Sequence, residues 1–182
     1  EGLAHAHDRG FLHCDVKPSN ILIGWNGQAI LLDFDASLSR DMLAPSCGGT
    51  LAYMAPEQLE LLSASHDLQK LRLEPATDLY GWAMTFYELL SLESLFTVSE
   101  SPDDLQQAIQ FQLTARQELA IDWRRCGRNG PTELIWSLMA CTQYELANRS
   151  QSADAVRQKL LQFDKPWRIL QRKIRRHPAV AI

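Results

Sequence analysis

His13-Cys14-Asp15-Val16-Lys17-Pro18-Ser19-Asn20 is the stretch on which the fold turns, and Asp33-Phe34-Asp35, starting thirteen residues past Asn20, is its companion. The first stretch places a carboxylate, an ammonium and a side-chain amide within six residues. Phosphoryl transfer needs a carboxylate to orient a hydroxyl and take its proton, a cation for the moving phosphate, and oxygen ligands for magnesium. Taken alone, the same residues could be a capped turn with Pro18 after a charged pair, and Asp33 a turn residue at a strand end. Between the two stretches, Ile21–Ile23 and residues 29–32 read as short strands joined by Trp25-Asn26-Gly27, and Asn-Gly is a strong hairpin signal. Such a hairpin carries Asn20 and Asp33 to the same place.

Working outward, residues 1–9 read as a helix closed by Gly10, and residues 11–13 as extended. Residues 36–57 read as loop, rich in Ser, Asp and Pro with a Gly48-Gly49 pair. Residues 77–92 carry Leu79, Trp82, Ala83, Phe86, Tyr87 and Leu90, apolar on more than one face, which predicts a buried central helix. Further helices are expected near 102–118, 131–141 and 152–163. The order predicts a mainly α chain with a small β-hairpin near its start.

These motifs resemble those of eukaryotic-type (Hanks-type) serine/threonine protein kinases. His13 to Asn20 resembles the catalytic loop H-R-D-x-K-P-x-N, and Asp33-Phe34 the D-F-G motif. Gly48-Gly49-Thr50-Leu51-Ala52-Tyr53-Met54-Ala55-Pro56-Glu57 looks like the end of an activation segment, with Ala55-Pro56-Glu57 as A-P-E. Its wording looks most like that of bacterial members. The resemblance implies a helical C-terminal lobe over residues 1–163, with the hairpin at the catalytic cleft and a basic tail over 164–182. It implies ATP and Mg²⁺ as cofactors and protein Ser or Thr as substrate. Asp15 is then the catalytic base and Lys17 the residue that steadies the γ-phosphate. Asn20 and Asp33 are the magnesium ligands. Thr50 is expected to hydrogen-bond Asp15 and Lys17; with Ser37, Ser39 and Ser46 it is also a candidate phosphosite. Structural roles fall to His13 and Phe34, packed together in a regulatory core. Asp78 is expected to accept backbone N–H bonds from the catalytic loop. Glu57 and Arg149 are expected to form a partly buried ion pair.

The chain also departs from the pattern. Cys14 stands where the family has arginine, which argues against a switch based on a phosphate–arginine pair, and its thiol is a candidate redox site. Asp35 stands where the family has glycine; it is either strained at positive φ or a solvent-facing acid. No glycine-rich loop, lysine strand or helix-C glutamate precedes residue 1, so the N-terminal lobe is expected to be absent from this chain, and apolar surface exposed. A non-catalytic pseudokinase or scaffold lobe that binds protein partners is the alternative reading. A small-molecule kinase is disfavoured by the full Gly-Thr to Ala-Pro-Glu segment.

Composition sets the outer bounds. The chain has 182 residues, 46% of them apolar, enough for one domain with a core. Net charge is −4, which does not favour nucleic acid. Lys165, Arg168, Arg172, Lys173, Arg175 and Arg176 make 165–182 a +6 stretch, leaving −10 elsewhere. With Trp167, Leu170 and Ile174, that tail reads either as a closing helix or as a weak contact for an anionic membrane surface. No apolar run is long enough to span a bilayer. Four cysteines without C-x-x-C spacing read as reduced thiols, and a cytoplasmic location is expected.

Overall fold

A computed structural model describes residues 1–39, 48–63, 72–96, 104–128 and 130–162. The candidate phosphosite Ser46 and the basic tail with Trp167, Leu170 and Ile174 lie outside the described residues.

Helix α1 (Gly2–Asp8) buries Ala4, Ala6 and His7 and is closed by the Gly10 N–H, which donates to His7 O at 3.0 Å. Strand β1 (Phe11–Leu12) follows. Strands β2 (Ile21–Ile23) and β3 (Ala29–Leu31) form the expected antiparallel hairpin, with Ile21 opposite Leu31 and Ile23 opposite Ala29. Its turn places Gly27 at φ +77°, where a side chain is strained, and the Gln28 N–H donates to Asn26 Oδ1 at 3.0 Å.

The stretch 36–57, expected to be loop throughout, contains two short elements. Strand β4 (Leu38–Ser39) pairs antiparallel with β1, Phe11 opposite Ser39. Two residues are too few for alternation to show, and the strand exists because β1 supplies its ladder. Helix α2 (Pro56–Leu62) begins on Pro56 at its first turn, where a missing N–H costs nothing. Seven residues are marginal on their own. Packing holds them: Leu59 is fully buried against Met54, Ile109 and Leu113.

Helix α3 (Pro75–Ser91) is the expected central helix, two residues longer at its start. Pro75 opens it, the Glu74 N–H donates to the Thr77 hydroxyl at 3.1 Å, and Leu92 ends it in the left-handed region. Two faces are buried for two reasons. Leu79 and Ala83 pack with Leu138, Cys141 and Val156, while Tyr80 and Met84 pack with Ala55 and Phe96. Helices α4 (Leu105–Glu118) and α5 (Thr132–Cys141) and a further helix α6 over 153–162 lie close to where periodicity puts them. Asp104 caps α4 by accepting the Gln106 N–H at 2.8 Å. A 3₁₀ turn at Trp123–Arg128 was not expected.

The chain is thus mainly helical with two small antiparallel sheets, every described strand lying before residue 40. Among the described residues no helix is long and apolar enough to cross a membrane.

Candidate functional site

The site begins with a backbone problem. Residues 13–17 are irregular, and Cys14 sits at φ +65°, a conformation uncommon for a side chain with a Cβ. Asp78, in the first turn of α3, satisfies the loop's donors. Its Oδ2 accepts the His13 N–H and its Oδ1 the Cys14 N–H, both at 2.8 Å. His7 Nε2 of α1 lies 2.8 Å from the same Oδ2. From α2, Gln58 donates through Nε2 to Cys14 O at 2.8 Å and accepts the Ala55 N–H at 3.0 Å. The Thr85 hydroxyl of α3 reaches Val16 O at 3.3 Å and Gly81 O at 2.9 Å. The loop is therefore held directly from α2 and α3, with α1 bracing Asp78 through His7.

On that frame the polar side chains converge. Lys17 Nζ is 2.7 Å from Asp15 Oδ2 and donates to Thr50 Oγ1 at 2.7 Å. Asn20 Nδ2 donates to Asp15 O at 2.8 Å and to Oδ2 at 3.3 Å, which turns its amide oxygen elsewhere. Among the described residues Asp15 Oδ1 is buried and makes no hydrogen bond of ordinary geometry, although the polar groups of Thr50 lie near the carboxyl. Burial pushes the Asp15 carboxyl up, but the Lys17 ammonium and the polar groups of Thr50 outweigh it and hold the carboxyl below its ordinary value. Segment 48–50 lies directly on the loop. At Gly49, φ is +136° and an added Cβ would stand 2.8 Å from Cys14 O, so only glycine allows this approach.

Across the hairpin, the Leu32 N–H donates to Asn20 O at 2.8 Å and His13 Nε2 donates to Leu32 O at 2.8 Å. These bonds fix the strand end that carries Asp33. Asp33 itself takes the positive φ, +61°, and its Oδ1 accepts the Asp35 N–H at 3.3 Å. The strain considered for Asp35 thus falls two residues earlier: Asp35 is exposed and has no positive φ. Phe34 meets His13 edge to face, 4.7 Å between ring centres, but is 43% exposed, so no closed core surrounds it. Cys14 is buried among Leu12, Leu73 and Leu38, away from oxidants, which removes the basis for a redox role.

Glu57 and Arg149 form a two-pronged ion pair at 2.7 and 2.8 Å. The pair was expected to be partly buried. It is almost wholly so, 5% and 4% exposed, because residues 142–149 fold over the start of α2. Arg149 also donates to Tyr144 O at 2.7 Å and lies over the Tyr80 ring.

Asn20 and Asp33 together offer one amide oxygen and one carboxylate. That small, hard set fits magnesium, which keeps waters and takes further oxygens from phosphates. Among the described residues no group of three or more His, Cys, Asp or Glu gathers as a metal site.

A protein kinase domain model matches residues 1–180. The chain belongs to the protein kinase family, in its Hanks-type serine/threonine branch. It is 29% identical to the serine/threonine-protein kinase PknD of Protochlamydia amoebophila over 175 residues, 85% of this chain and 16% of that protein. It is 39% identical to PknL of Mycobacterium tuberculosis over 102 residues, 53% of this chain and 23% of that protein. A 58-residue stretch is 47% identical to SKS1 of Saccharomyces cerevisiae, 31% of this chain and 12% of that protein. The matched stretches span under a quarter of the length of each of these relatives.

Gln58, Thr85 and His7 support the kinase loop and were not picked out from sequence. Gln58 and Thr85 bind backbone carbonyls, which leave no mark in a motif. The partner of His7 lies seventy-one residues away, beyond any local pattern.

Proposed function

We propose that this chain carries the catalytic groups for transfer of the γ-phosphate of Mg-ATP to serine or threonine of a protein. On this reading it is the C-terminal lobe of a kinase over residues 1–163, with 164–182 a basic tail, and it works in the cytoplasm on protein substrates. One observation carries the reading. The Lys17 ammonium lies 2.7 Å from both Asp15 Oδ2 and Thr50 Oγ1, and the Asn20 amide donates to the same carboxylate, so three polar groups converge on an Asp15 held ionised. An incoming hydroxyl would be oriented by that carboxylate, and Asp15 would receive its proton. Lys17 would meet the negative charge of the moving phosphate. Asn20 and Asp33 would hold Mg²⁺, which supplies charge neutralisation at the phosphates when bound. Thr50 keeps Lys17 in line.

The test is transfer of labelled phosphate from Mg-ATP to a protein substrate, with Asp15→Asn beside the native sequence. Removing the base should cut transfer by about 10²–10⁴-fold. Equal activity in both would sink the assignment.

A second reading, a non-catalytic lobe that binds partners, draws on the exposed apolar side chains of the hairpin: Leu22, Ile23, Trp25 and Ile30 are 44–110% exposed. It would be favoured by partner binding that needs no nucleotide, together with no transfer by the native sequence.

A further inference from the structure

Arg116, near the end of α4, is a buried cation without an anion. It is 7% exposed, and none of its partners among the described residues is a carboxylate. Its five N–H donors all end on neutral oxygens. Nε donates to Met54 O at 2.9 Å, and Nη2 to Leu51 O at 2.7 Å and Ala52 O at 3.2 Å. Nη1 donates to Gln112 O at 3.1 Å and to Gln112 Oε1 at 2.5 Å. The Phe96 ring covers the guanidinium at 4.0 Å. Burial lowers its pKa to about 10, so it stays charged at neutral pH. These partners satisfy its hydrogens and leave its charge uncancelled, and a buried charge is costly until something cancels it.

Beside it lies a cavity of about 170 Å³, between α3, α4 and the chain that follows α5. A cavity of about 150 Å³ is enough to admit a benzene ring. Arg116, Tyr80 and Gln143 bring polar groups to its wall, and Ile121 and Trp123 an apolar side. Tyr80 is 2% exposed. Its hydroxyl lies near the guanidinium and, among the described residues, makes no hydrogen bond of ordinary geometry. The Gln143 amide spends one N–H on Met139 O at 3.1 Å and keeps a second. The acids nearby are engaged elsewhere. Glu57 is closed against Arg149. Glu60 accepts the Tyr144 hydroxyl at 3.0 Å and does not line the cavity. Asp122 is paired with Arg124 at 2.8 Å. The unbalanced charge that faces the cavity is therefore that of Arg116.

We propose that this cavity is a binding site for a small organic monoanion, a carboxylate carried on a single ring or a short branched chain. Its charge balances Arg116 across the cavity, and its oxygens accept from the Tyr80 hydroxyl and the free Gln143 N–H. Its apolar part lies against Ile121 and Trp123. An inorganic anion would leave that apolar side facing water, and a dianion would bring more charge than the single cation cancels. None of the groups gathered at Asp15 lines the cavity, so the site stands apart from the phosphoryl-transfer reading.

The experiment is calorimetric titration of the natural polypeptide that contains this chain, with benzoate and with benzamide, its neutral counterpart of the same shape. Benzoate should bind with a Kd of about 1 mM or tighter, as suits a ligand of about nine non-hydrogen atoms. Benzamide and inorganic phosphate should each bind about tenfold more weakly or worse. Tyr80→Phe keeps the ring and removes the hydroxyl, and should weaken benzoate about tenfold. Arg116→Met should abolish the preference for benzoate over benzamide; should that variant fail to fold, Tyr80→Phe decides alone. Equal binding of benzoate and benzamide overturns the proposal, as does benzoate binding that Tyr80→Phe leaves unchanged. No binding of benzoate up to about 20 mM also overturns it and leaves the cavity to water.

Discussion

Lys17 does two jobs at Asp15 that pull the same way. Its charge and its hydrogen bond favour the carboxylate, against burial, which favours the acid. Replacing Lys17 by Met leaves burial opposed by Thr50 without the ammonium. The Asp15 pKa, followed by carbon NMR, should then move upward; a value unmoved or lower would contradict the assignment. The sign for stability follows from the same shift. A carboxyl held below its ordinary value adds stability above the ordinary aspartate range and loses it as pH falls through the depressed value. Thermal melts of the native chain should therefore fall off at acid pH, and the Lys17→Met variant should show less of that fall. At this scale the sequence was legible where chemistry is carried by side chains: spacing and resemblance directed attention to Asp15, Lys17, Asn20, Thr50 and Asp78, and the structure gathers these side chains at one loop. It was not legible where backbone conformation decides. That Asp33 and Cys14 take positive φ, and Asp35 does not, depends on the hairpin's exit direction and on Asp78, neither of which a local stretch encodes.

Among the elements, α2 shows how little propensity can decide. Its seven residues are mostly good helix formers opened by Pro56, but too few to hold a helix alone; Glu57, Gln58 and Leu59 each tie it to a different part of the molecule. Glu57 binds Arg149 with both oxygens, deep enough that either charge left alone has no water to turn to. Arg149→Met should lower unfolding free energy by about 3–5 kcal/mol in denaturant titration. The double variant with Glu57→Leu should recover much of that loss, since no stranded charge remains. A single variant that costs under about 1 kcal/mol would show the pair to be solvated after all. The long helices were readable because burial repeats over many turns in them; α3 differs from expectation by two residues at its start. Strand β4 and the 3₁₀ turn at Trp123–Arg128 were not readable, because each is made by a neighbour rather than by its own pattern. Arg116 belongs with these. Besides Gln112 four residues back, this buried side chain donates to carbonyls sixty-odd residues away, and no motif marks them.

For the molecule as a whole, the distribution of apolar surface is uneven. Two core clusters lie around α3 and two more around α2 and the loop after β1, while the hairpin shows Leu22, Ile23, Trp25 and Ile30 to solvent, Trp25 at 110%. Grouped apolar side chains of this kind promote association. Sedimentation of the native chain should show mass rising with concentration, and Trp25→Ser with Ile23→Ser should reduce the rise without lowering the melting temperature. Equal association in the variant would place the sticky surface elsewhere. The site, too, depends on the whole chain. The donors of His13 and Cys14 find their acceptor on Asp78, sixty-five and sixty-four residues downstream. On a ribosome the loop emerges first and its anchor follows after roughly 3–13 s at ordinary elongation rates. Through that interval the nascent loop has hairpin neighbours but no carboxylate to close on. Completion of the site is thereby timed by the synthesis of α3, and codons slow to translate between residues 20 and 78 would lengthen the window in which the half-made site is open to chaperones and proteases.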